Sequence, residues 1–434
     1  MISIVTNPIV IAVVLLCILC VCRINVLLAL IVCSVVGGAA GHINLSEVMN
    51  IFIHGMGDNS ETALSYILLG AFAASMTHTG LAPILSMKIS NAIKSKKYLL
   101  IFILTGIAIL SQNLIPVHIA FIPILVPPLL IIMNKLQIDR RAVACGLAFG
   151  LKAPYIVIPA GFGLIFQGLI ADNMVQNGIE IAKSDIWKSV WVLGVGMLAG
   201  FLIAIFISYA KPRQYKNLEI KTTETQSLTL HRSHYITLIA AGLTLIVQLW
   251  TGSLPLGALV GLSVIFGLRA IDHDKMDKLI NEGVGLMGYV AFVMLVAAGF
   301  AAVMKATGGI DTLVTSITPY MTNKIIAAAL MLFVGLFITM GIGTSFGTIP
   351  ILAVLYVPIC TKLGFSVPAI VILLAAAAAL GDAGSPASDT TLGPTAGLNA
   401  DGQHNHIWDT CIPTFLHYNI ALILSALIAV YFIG

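Results

Sequence analysis

Long apolar stretches separated by short polar segments run through almost the whole chain. A helix needs about 20 apolar residues to cross the hydrocarbon of a bilayer, so this pattern predicts membrane helices joined by surface loops. We place the apolar stretches at residues 8–22, 24–41, 62–80, 98–133, 142–171, 186–210, 234–250, 253–270, 285–306, 325–362, 366–397 and 412–433.

Two of these stretches, 98–133 and 325–362, are too long for a single crossing. Each contains a polar or glycine-rich break near its middle, at Ser111–Pro116 in the first and at Gly343–Thr348 in the second. Non-helical backbone survives at membrane depth only where it is buried or lines a watery cavity. Each stretch therefore predicts a re-entrant hairpin whose tip stops inside the protein.

Two interrupted helices are also predicted, at Leu151–Tyr155 around Pro154 and at Gly381–Thr391 around Pro386. Proline lacks the N–H that a helix interior needs, and it therefore fixes such breaks. The exposed N-termini of half-helices attract anions, and their C-terminal carbonyls attract cations. Together with the hairpin tips, these interruptions predict a binding site at membrane depth.

The two halves of the chain share a pattern of residues at spacings of 227 and 228 positions. We therefore predict an all-α polytopic membrane protein with two inverted-topology repeats, each containing a re-entrant helical hairpin and an interrupted helix. The first repeat spans 1–210, a polar cytoplasmic linker spans 211–233, and the second repeat spans 234–434. The matching positions include Gly55 and Gly283, Phe72–Ala74 and Phe300–Ala302, and Ile122–Leu125 and Ile349–Leu352.

The composition places most of the protein surface in lipid. Hydrophobic residues make up 59% of the chain and charged residues only 9%, whereas soluble domains carry about 25% charged residues. We expect the lipid bilayer as a partner and no nucleic acid, because no basic run with interleaved aromatics is present. The sequence contains no Walker motif and no enzyme motif, so we expect neither ATP-driven transport nor catalysis.

The distribution of Lys and Arg predicts which way each loop faces, because cytoplasmic loops carry an excess of these residues. Both flanks of 98–133 are then inside, and both flanks of 325–362 are outside. The two repeats become antiparallel, and both termini face outward. The segments that we place inside are Arg23, Lys88–Lys97, Lys135–Arg141, 211–233 and Arg269–Lys278.

Asp382 and Asp389 are the only carboxylates within a predicted span of the second half. An ionisable group at membrane depth is costly, which makes function the first hypothesis. A carboxylate there binds Na⁺ or H⁺ in competition. Lys152 is the matching charge of the first half, and three roles stay open for it: neutralising an aspartate, holding an anionic substrate, or exchanging its own proton.

Small polar side chains at the four breaks supply oxygen ligands of the type that Na⁺ prefers, with Asp382 and Asn113 as candidate metal ligands. His118 follows the first tip and is a candidate proton relay, although a lone histidine on an apolar helix is also typical of packing. A polar cluster at Gln403–Asp409 has a spacing that allows a metal site, but it favours a solvated cytoplasmic loop. The neutral candidates are Ser111, Gln112, Asn113, Thr344, Ser345, Ser385 and Ser388.

The run Gly381–Thr390, continuing through Pro394, His404, Trp408-Asp409 and Pro413, resembles the NhaC-type Na⁺/H⁺ antiporter family and more closely its YuiF-like branch. The first hairpin tip is similar to the Ser-Asn-Thr tips of the broader ion transporter superfamily, except that Gln112 departs from that pattern. The resemblance implies secondary transport coupled to Na⁺ or H⁺, a bacterial cytoplasmic membrane and a homodimer. It leaves the substrate open, because members of this branch have also been linked to amino-acid uptake, histidine included.

The leading hypothesis is a Na⁺/H⁺ antiporter without a cofactor, in which Asp382, helped by Asp389, alternately carries H⁺ and Na⁺. The alternative is a Na⁺- or H⁺-coupled permease for an amino acid or a small carboxylate. Lys152 or a half-helix N-terminus would then hold the substrate carboxylate. A channel is a third hypothesis, which the combination of intramembrane carboxylates with a lysine disfavours.

Overall fold

A computed structural model gives the architecture, and all its regular elements are helices. It describes residues 6–22, 24–80, 96–113, 122, 125–216, 218, 231–309, 312, 316, 323–342, 344–386 and 388–434. These residues contain 17 α-helices and no β-strand. The predicted all-α membrane fold is therefore confirmed.

Nine of the described α-helices belong to the first half. Side chains fix some of their starts: Asn25 and Asp139 each accept a hydrogen bond from a backbone N–H of the first turn that follows, which satisfies a donor without a partner inside the helix. The helices are α1 (Pro8–Val21), α2 (Val26–Ala40), α3 (Leu45–Met56), α4 (Ser60–His78), α5 (Lys97–Asn113), α6 (Leu130–Lys135), α7 (Arg140–Val157), α8 (Phe162–Gln176) and α9 (Ile186–Ile203).

The remaining eight described α-helices belong to the second half. Ser253, Ser366 and Ser388 cap three of them through their hydroxyl groups. A π-helix, His406–Cys411, leads directly into the last α-helix. The helices are α10 (Arg232–Thr251), α11 (Leu254–Gly267), α12 (Met276–Ala306), α13 (Lys324–Ile342), α14 (Ser345–Lys362), α15 (Val367–Ala379), α16 (Asp389–Leu398) and α17 (Ile412–Ile433).

Several of these helices are long and apolar enough to cross a membrane. Five pass this test among the described residues, and the bent pair of α7 and α8 makes a sixth. The chain is thus a multi-pass membrane protein. The five helical segments are Lys183–Ser208, Arg232–Thr251, Met287–Ala306, Ser345–Lys362 and His406–Ile433.

Helix starts recur along the chain at the spacing seen in the sequence. The first residues of α2 and α11 are 228 positions apart, those of α5 and α13 and of α8 and α16 are 227 apart, and those of α9 and α17 are 226 apart. This order supports two repeats with the same sequence of elements. Their inverted orientation in the membrane and the linker boundaries at 211–233 stay predictions.

The predicted interruption at Leu151–Tyr155 is wrong, because α7 continues without a break from Arg140 to Val157. The helix tolerates Pro154 and ends beside the next proline, Pro159. Ile158, which precedes this proline, is extended with φ −99° and ψ 118°, as the proline ring requires of its neighbour. The break therefore falls at residues 158–161, where α7 and α8 meet at a bend of 46°.

The two breaks predicted in the second half are present. Helix α13 ends at Ile342 and α14 begins at Ser345, and α15 ends at Ala379 and α16 begins at Asp389. We call residues 380–388 the break segment. The tip of the first hairpin beyond Asn113 lies outside the described residues.

Glycine fits the break segment between two neighbouring helices. Gly381 has φ +78°, and a Cβ atom there would lie 2.5 Å from the carbonyl oxygen of Leu336 in α13. Gly384 has φ +100°, and a Cβ there would lie 2.6 Å from the Cα of Phe415 in α17. Both positions need a residue without a side chain, because the φ values are left-handed and the neighbouring backbones leave no room.

The two halves pack against each other along several helix pairs. The largest contact joins α4 to α12, where Gly70 and Gly283 let the two backbones approach closely. Helices α7 and α16, α8 and α14, and α9 and α17 also pack across the halves. The centre of the molecule therefore combines side chains from both halves.

Candidate functional site

A buried ion pair between the two halves forms the centre of the candidate site. Lys152 in α7 is 1% exposed, and Asp382 in the break segment is 3% exposed. The Nζ atom of Lys152 lies 2.5 Å from Oδ2 of Asp382. The sequence predicted both charges at membrane depth, and the structure brings them into direct contact across 230 positions of the chain.

Hydroxyl groups surround this ion pair. Ser345, the first residue of α14, donates to Oδ2 of Asp382 at 2.6 Å and accepts from Lys152 Nζ at 3.0 Å. Ser388 donates to the other carboxylate oxygen, Oδ1, at 2.5 Å. The hydroxyl of Tyr155 lies 2.9 Å from Ser345 Oγ and 3.4 Å from Asp382 Oδ2. Both oxygens of the buried carboxylate are thus hydrogen-bonded, as a buried charge requires.

The other predicted ligands of the second half lie around this centre. Asp389 begins α16 on the exposed side of the break, with its Oδ1 3.5 Å from the Ser388 hydroxyl. Ser385 is buried, and its carbonyl oxygen accepts from Thr391 Oγ1 at 2.5 Å. Thr344 precedes α14, and its carbonyl oxygen accepts from Thr348. Asp382 therefore lies at the centre of the predicted ligands of the second half.

The predicted ligands of the first half lie at the end of α5. Ser111 is buried and donates to the carbonyl oxygen of Ala108 at 3.0 Å. Gln112 is buried, and its Oε1 atom has no hydrogen-bond partner among the described residues. Asn113 ends the helix, and its side chain lies outside the described part of the structure, as does the whole of His118. The roles of these residues stay predictions.

Five aromatic rings form a cluster that reaches the ion pair through Tyr155, and we call them the aromatic layer. The ring of Phe346 is central, with centroid distances of 5.1 Å to Tyr155, 5.7 Å to Phe162, 5.8 Å to Phe166 and 6.0 Å to Tyr66. Tyr66 also lies 5.3 Å from Phe162. The layer thus joins α4 to α7, α8 and α14 through side chains.

A cavity of about 300 Å³, with both polar and apolar lining residues, lies beside α4 and α8. Ser65 and Gln167 line it, and they are the sequence neighbours of the layer residues Tyr66 and Phe166. Charged side chains lie at the exposed part of its wall, where Lys183 and Asp172 form an ion pair of 2.9 Å. Its further lining residues include Glu61, Pro159, Leu164, Trp187 and Leu254.

A second buried ion pair lies at the other end of α7. Arg140 is fully buried and binds both carboxylate oxygens of Asp401, at 2.7 and 2.6 Å. It also donates to the carbonyl oxygen of Leu398 at 2.9 Å, the last residue of α16. Burial by itself would raise the pKa of Asp401, but the hydrogen bond and the charge of Arg140 hold it below its usual value. This pair fixes the end of α16 to α7.

The first residues of the linker cover this region. Arg213 binds Asp409 at 2.7 Å, and the ring of Tyr215 lies 4.2 Å from the guanidinium carbon of Arg140. Gln403 accepts from the backbone N–H of Lys216 at 2.8 Å and donates to its carbonyl oxygen at 2.7 Å. We call these contacts the linker clasp. They connect the segment after residue 210 to the loop that follows α16.

The polar cluster at Gln403–Asp409 is only partly the solvated loop that the sequence favoured, because Asn405 and Trp408 are exposed whereas His404 and Asp409 are buried. His404 is 2% exposed and Asp409 is 8% exposed. Burial lowers the pKa of His404 to about 4, with opposing contributions from Asp409, which raises it, and from Arg140, which lowers it. The linker clasp covers these side chains, and its ion pairs join positions that are far apart in the sequence. The described residues contain no group of three or more His, Cys, Asp and Glu side chains able to hold a metal ion.

Sequence reasoning did not single out two contributors to the site. Tyr155 follows Lys152 by three positions on the same helix, a spacing that places both side chains on one face. Thr390 contacts the Ser388 hydroxyl at 2.8 Å. The helical spacing was a usable signal for Tyr155, whereas the contact of Thr390 depends on the cap at the start of α16.

The chain is similar to membrane proteins over its whole length. It is 46% identical over 437 residues to an uncharacterised membrane protein of Vibrio parahaemolyticus, with 98% of this chain and 99% of the relative covered. It is also 46% identical over 439 residues to a Bacillus subtilis protein with the name "Putative amino acid transporter YuiF", with the same coverage.

Two solved structures share the fold. The YdaH transporter of Alcanivorax borkumensis has a TM-score of 0.58 at 14% identity, with 89% of this chain and 88% of that chain covered. MtrF of Neisseria gonorrhoeae, described within a class of antimetabolite efflux pumps, has a TM-score of 0.57 at 16% identity, with 90% and 85% covered.

Two family models, both described as Na⁺/H⁺ antiporter families, match residues 7–93 and 146–430. The second match covers more than half of the chain and includes both partners of the Lys152–Asp382 pair. The chain therefore belongs to the Na⁺/H⁺ antiporter family.

Proposed function

We propose that this protein is a secondary transporter that exchanges Na⁺ for H⁺ at the Lys152–Asp382 pair. The observation that carries the proposal is the direct contact of these two buried charges, 2.5 Å apart, beside a helix break. Ion pairs at membrane depth mark ion pathways, because a charge that serves only packing is costly there. Membership of a Na⁺/H⁺ antiporter family supports the same function.

The charges of the site link cation binding to proton release. With Lys152 protonated and Asp382 ionised, the pair is neutral, and an added Na⁺ would leave an uncompensated positive charge in a buried site. Such a charge costs several kcal/mol, about 3–5 when one partner of a buried pair is lost. Entry of Na⁺ therefore favours loss of the proton from Lys152, and return of the proton favours release of Na⁺.

The hydroxyl groups of the site can take over as ligands when the ammonium group of Lys152 leaves. Ser345 and Ser388 each lie within 2.6 Å of a carboxylate oxygen of Asp382. Hydroxyl and carboxylate oxygens are suitable ligands for hard cations. In this proposal Asp382 is the shared ligand of Na⁺ and the ammonium group, and the two serines stay in place in both states.

Proteoliposomes containing the purified protein test this proposal. We expect an imposed Na⁺ gradient to change the internal pH, read with a pH-sensitive dye. Asp382→Asn should abolish this change, whereas Glu180→Gln, which neutralises an exposed carboxylate, should leave it intact. A normal pH change with Asp382→Asn would remove this residue from the mechanism.

A coupled amino-acid permease is the second candidate. The relative named "Putative amino acid transporter YuiF" favours it, as does the cavity of about 300 Å³ beside α4 and α8. In this case Na⁺ or H⁺ would drive uptake, and Lys152 or a helix N-terminus would hold the substrate carboxylate. Accumulation of labelled histidine without any Na⁺-dependent pH change would favour this candidate over antiport.

We further propose that the protein lies in a bacterial cytoplasmic membrane as a homodimer, with inverted repeats and both termini outside. The resemblance to the ion transporter superfamily and the distribution of Lys and Arg support this arrangement. Cysteine labelling with a membrane-impermeant reagent tests the orientation. We expect labelling of intact cells at a cysteine added after Gly434 and no labelling at one that replaces Lys211.

A further inference from the structure

A chain of four hydrogen-bonding side chains runs from the break segment to His404, the sequence neighbour of Gln403 in the linker clasp. His406 Nε2 lies 3.0 Å from the carbonyl oxygen of Pro386 in the break segment. His406 Nδ1 lies 2.7 Å from Thr395 Oγ1, which lies 2.9 Å from Thr410 Oγ1. Thr410 Oγ1 lies 2.7 Å from His404 Nε2. Each contact is within hydrogen-bond distance, and the function proposed above does not use any of these four residues.

The protons of this hydrogen-bond chain can be placed in two consistent arrangements. A carbonyl oxygen can only accept, so His406 donates from Nε2 to Pro386, and its Nδ1 is free to accept or to donate. In one arrangement His404 donates to Thr410, Thr410 donates to Thr395, and Thr395 donates to His406. In the other, the three hydrogen bonds between these side chains run the opposite way, which matches the donation from Thr395 to Thr410 in the structure.

Changing from the first arrangement to the second moves one proton along the chain. The Nε2 proton of His404 passes to Thr410, the Thr410 proton passes to Thr395, and the Thr395 proton passes to Nδ1 of His406. Each hydroxyl gives one proton and receives one, so only the two imidazoles change. Before the transfer His404 carries protons on both nitrogens and is positively charged. After the transfer His404 is neutral with its remaining proton on Nδ1, and His406 carries protons on both nitrogens and is positively charged, so the total charge of the pair is unchanged.

We propose that His404, Thr410, Thr395 and His406 form a proton relay between the break segment and the linker side of the protein. This proposal rests on proton-coupled transport, because such a cycle needs a route by which protons reach the break. Histidine is suited to this role, since its ordinary pKa lies close to neutral pH. Histidine chains are a known type of proton pathway in transport proteins.

The surroundings of the relay give its two ends different properties. His404 is buried, and it lies among the guanidinium groups of Arg140 and Arg213 and the carboxylates of Asp139 and Asp409. Burial, together with the two guanidinium groups, disfavours a charged His404 more strongly than Asp409 and Asp139 favour it, so a charged His404 readily gives up its proton.

His406 is only partly buried. It lies beside Pro386, which is exposed, and the Sγ atom of Cys411 lies 3.5 Å from its Nε2 atom. At the far end of the relay, Gly402 and Asn405 on either side of His404 are exposed, so His404 lies just below the linker-side surface.

NMR of the full-length protein with isotope-labelled histidine tests the relay without any transport assay. His404→Gln and His406→Gln identify the two signals. If one proton is shared, the two histidines titrate as a coupled pair. Thr395→Val keeps the size of the side chain but removes the hydroxyl. We expect this variant to move the titration midpoint of His404 by about 1 pH unit, although Thr395 reaches His404 only through Thr410.

Matched variants separate the relay from a structural effect. Thr414→Val removes another buried hydroxyl, one that donates to the carbonyl oxygens of Thr410 and Cys411, and it should leave both midpoints unchanged. Thr395→Ser restores the hydroxyl and should restore the coupling. If Thr395→Val does not fold, Thr410→Val interrupts the same chain at the next hydroxyl. An unchanged midpoint of His404 in the folded variant would overturn the relay.

Transport assays then distinguish failure of the relay from failure of the proposed function. If the wild-type protein couples Na⁺ to H⁺, Thr395→Val should displace the pH profile of transport, and Thr414→Val should not. Equal profiles would overturn the relay while leaving Na⁺/H⁺ exchange intact. If the wild-type protein shows no Na⁺-dependent pH change, the proposed function fails, and the NMR titration still decides whether the two histidines share a proton.

Discussion

At the scale of single residues, the Lys152–Asp382 pair brings together two buried charges that neutralise each other. Each charge alone would be strongly unfavourable in a buried site, and the pair is tolerated because each neutralises the other. Ser345 and Ser388 complete the hydrogen bonds of the carboxylate. The pair is therefore sensitive to any change that removes only one of its charges.

Lys152→Met should destabilise the protein by about 3–5 kcal/mol, because it leaves Asp382 buried without a partner. Lys152→Met with Asp382→Asn should recover most of this loss, since the double variant contains no buried charge. Unfolding of the purified protein measures both values. Lys183→Met is the control, because it removes one partner of the exposed pair with Asp172, which we expect to contribute at most about 1 kcal/mol. Equal losses for Lys152→Met and Lys183→Met would contradict this account.

His404 makes a pH-dependent contribution to stability. Its pKa in the folded protein is about 4 against an ordinary value of 6.5, so the folded state binds this proton less readily than the unfolded state. The contribution is fully present above about pH 6.5 and is lost as the pH falls toward 4, with a size on the order of 3 kcal/mol. Unfolding measurements at pH 7 and pH 5 should show a smaller pH dependence in His404→Gln than in the wild type. The difference in stability between the two proteins at pH 7 provides the control, because it reflects only the loss of the His404–Thr410 hydrogen bond.

At the scale of elements, the break segment depends on glycine for its fit between α13 and α17. Gly381→Ala should destabilise the protein more than Gly402→Ala. Both positions have similar left-handed φ values, +78° and +75°, but a Cβ at Gly402 meets no atom within 4 Å, whereas one at Gly381 meets the backbone of α13. We expect about 1–2 kcal/mol from the φ value in both variants and a further loss only in Gly381→Ala. Thermal unfolding checks the difference, and equal midpoints would show that the close approach to α13 has no effect.

The breaks also show what the sequence could reveal and what it could not. The sequence indicated the break that holds Asp382 through Gly381, Pro386 and the surrounding small polar residues. Helix α15 ends before this break, and α16 begins after it. Pro154 suggested a break that α7 does not have, because the helix tolerates one missing hydrogen bond and ends at Val157, two residues before Pro159. Local composition thus located the breaks to within a few residues. The exact helix ends depend on further features, such as Pro159 after α7 and the close approach of α13 and α17 to Gly381 and Gly384.

At the scale of the whole molecule, contacts between distant positions were beyond local reasoning. The burial of His404 depends on Arg140 and Arg213, which lie roughly 190 or more positions away. No periodicity or motif connects these residues, so the sequence alone favoured a solvated loop at Gln403–Asp409. Lys152 and Asp382 were different, because each is unusual within its own apolar stretch and could be identified separately. The sequence could thus indicate which charges matter, while the fold determines their partners.

Expression of the protein as two fragments, 1–222 and 223–434, should give an assembled transporter. The halves pack through α4 with α12 and α9 with α17, and the ion pairs of Asp382 and Asp401 also cross between them. Co-purification of the tagged first fragment with the second checks this expectation. A cut after Tyr289, inside α12, is the control and should prevent assembly, because it divides a helix that packs against α3, α4 and α14.

The aromatic layer has a consequence for how the protein could change shape. Helices α4 and α12 touch through backbone atoms at glycines, as do the break segment, α13 and α17, so each group resists sliding and should behave as a rigid body. At Tyr66, the group of α4 and α12 meets Phe162 of α8 and Phe346 of α14 through ring contacts. Rings can slip past one another without breaking a hydrogen bond. We therefore expect α4 and α12 to move against α8 and α14 at these rings. Phe346 follows Ser345, which hydrogen-bonds Asp382, so a small displacement here would change which side of the membrane can reach Asp382.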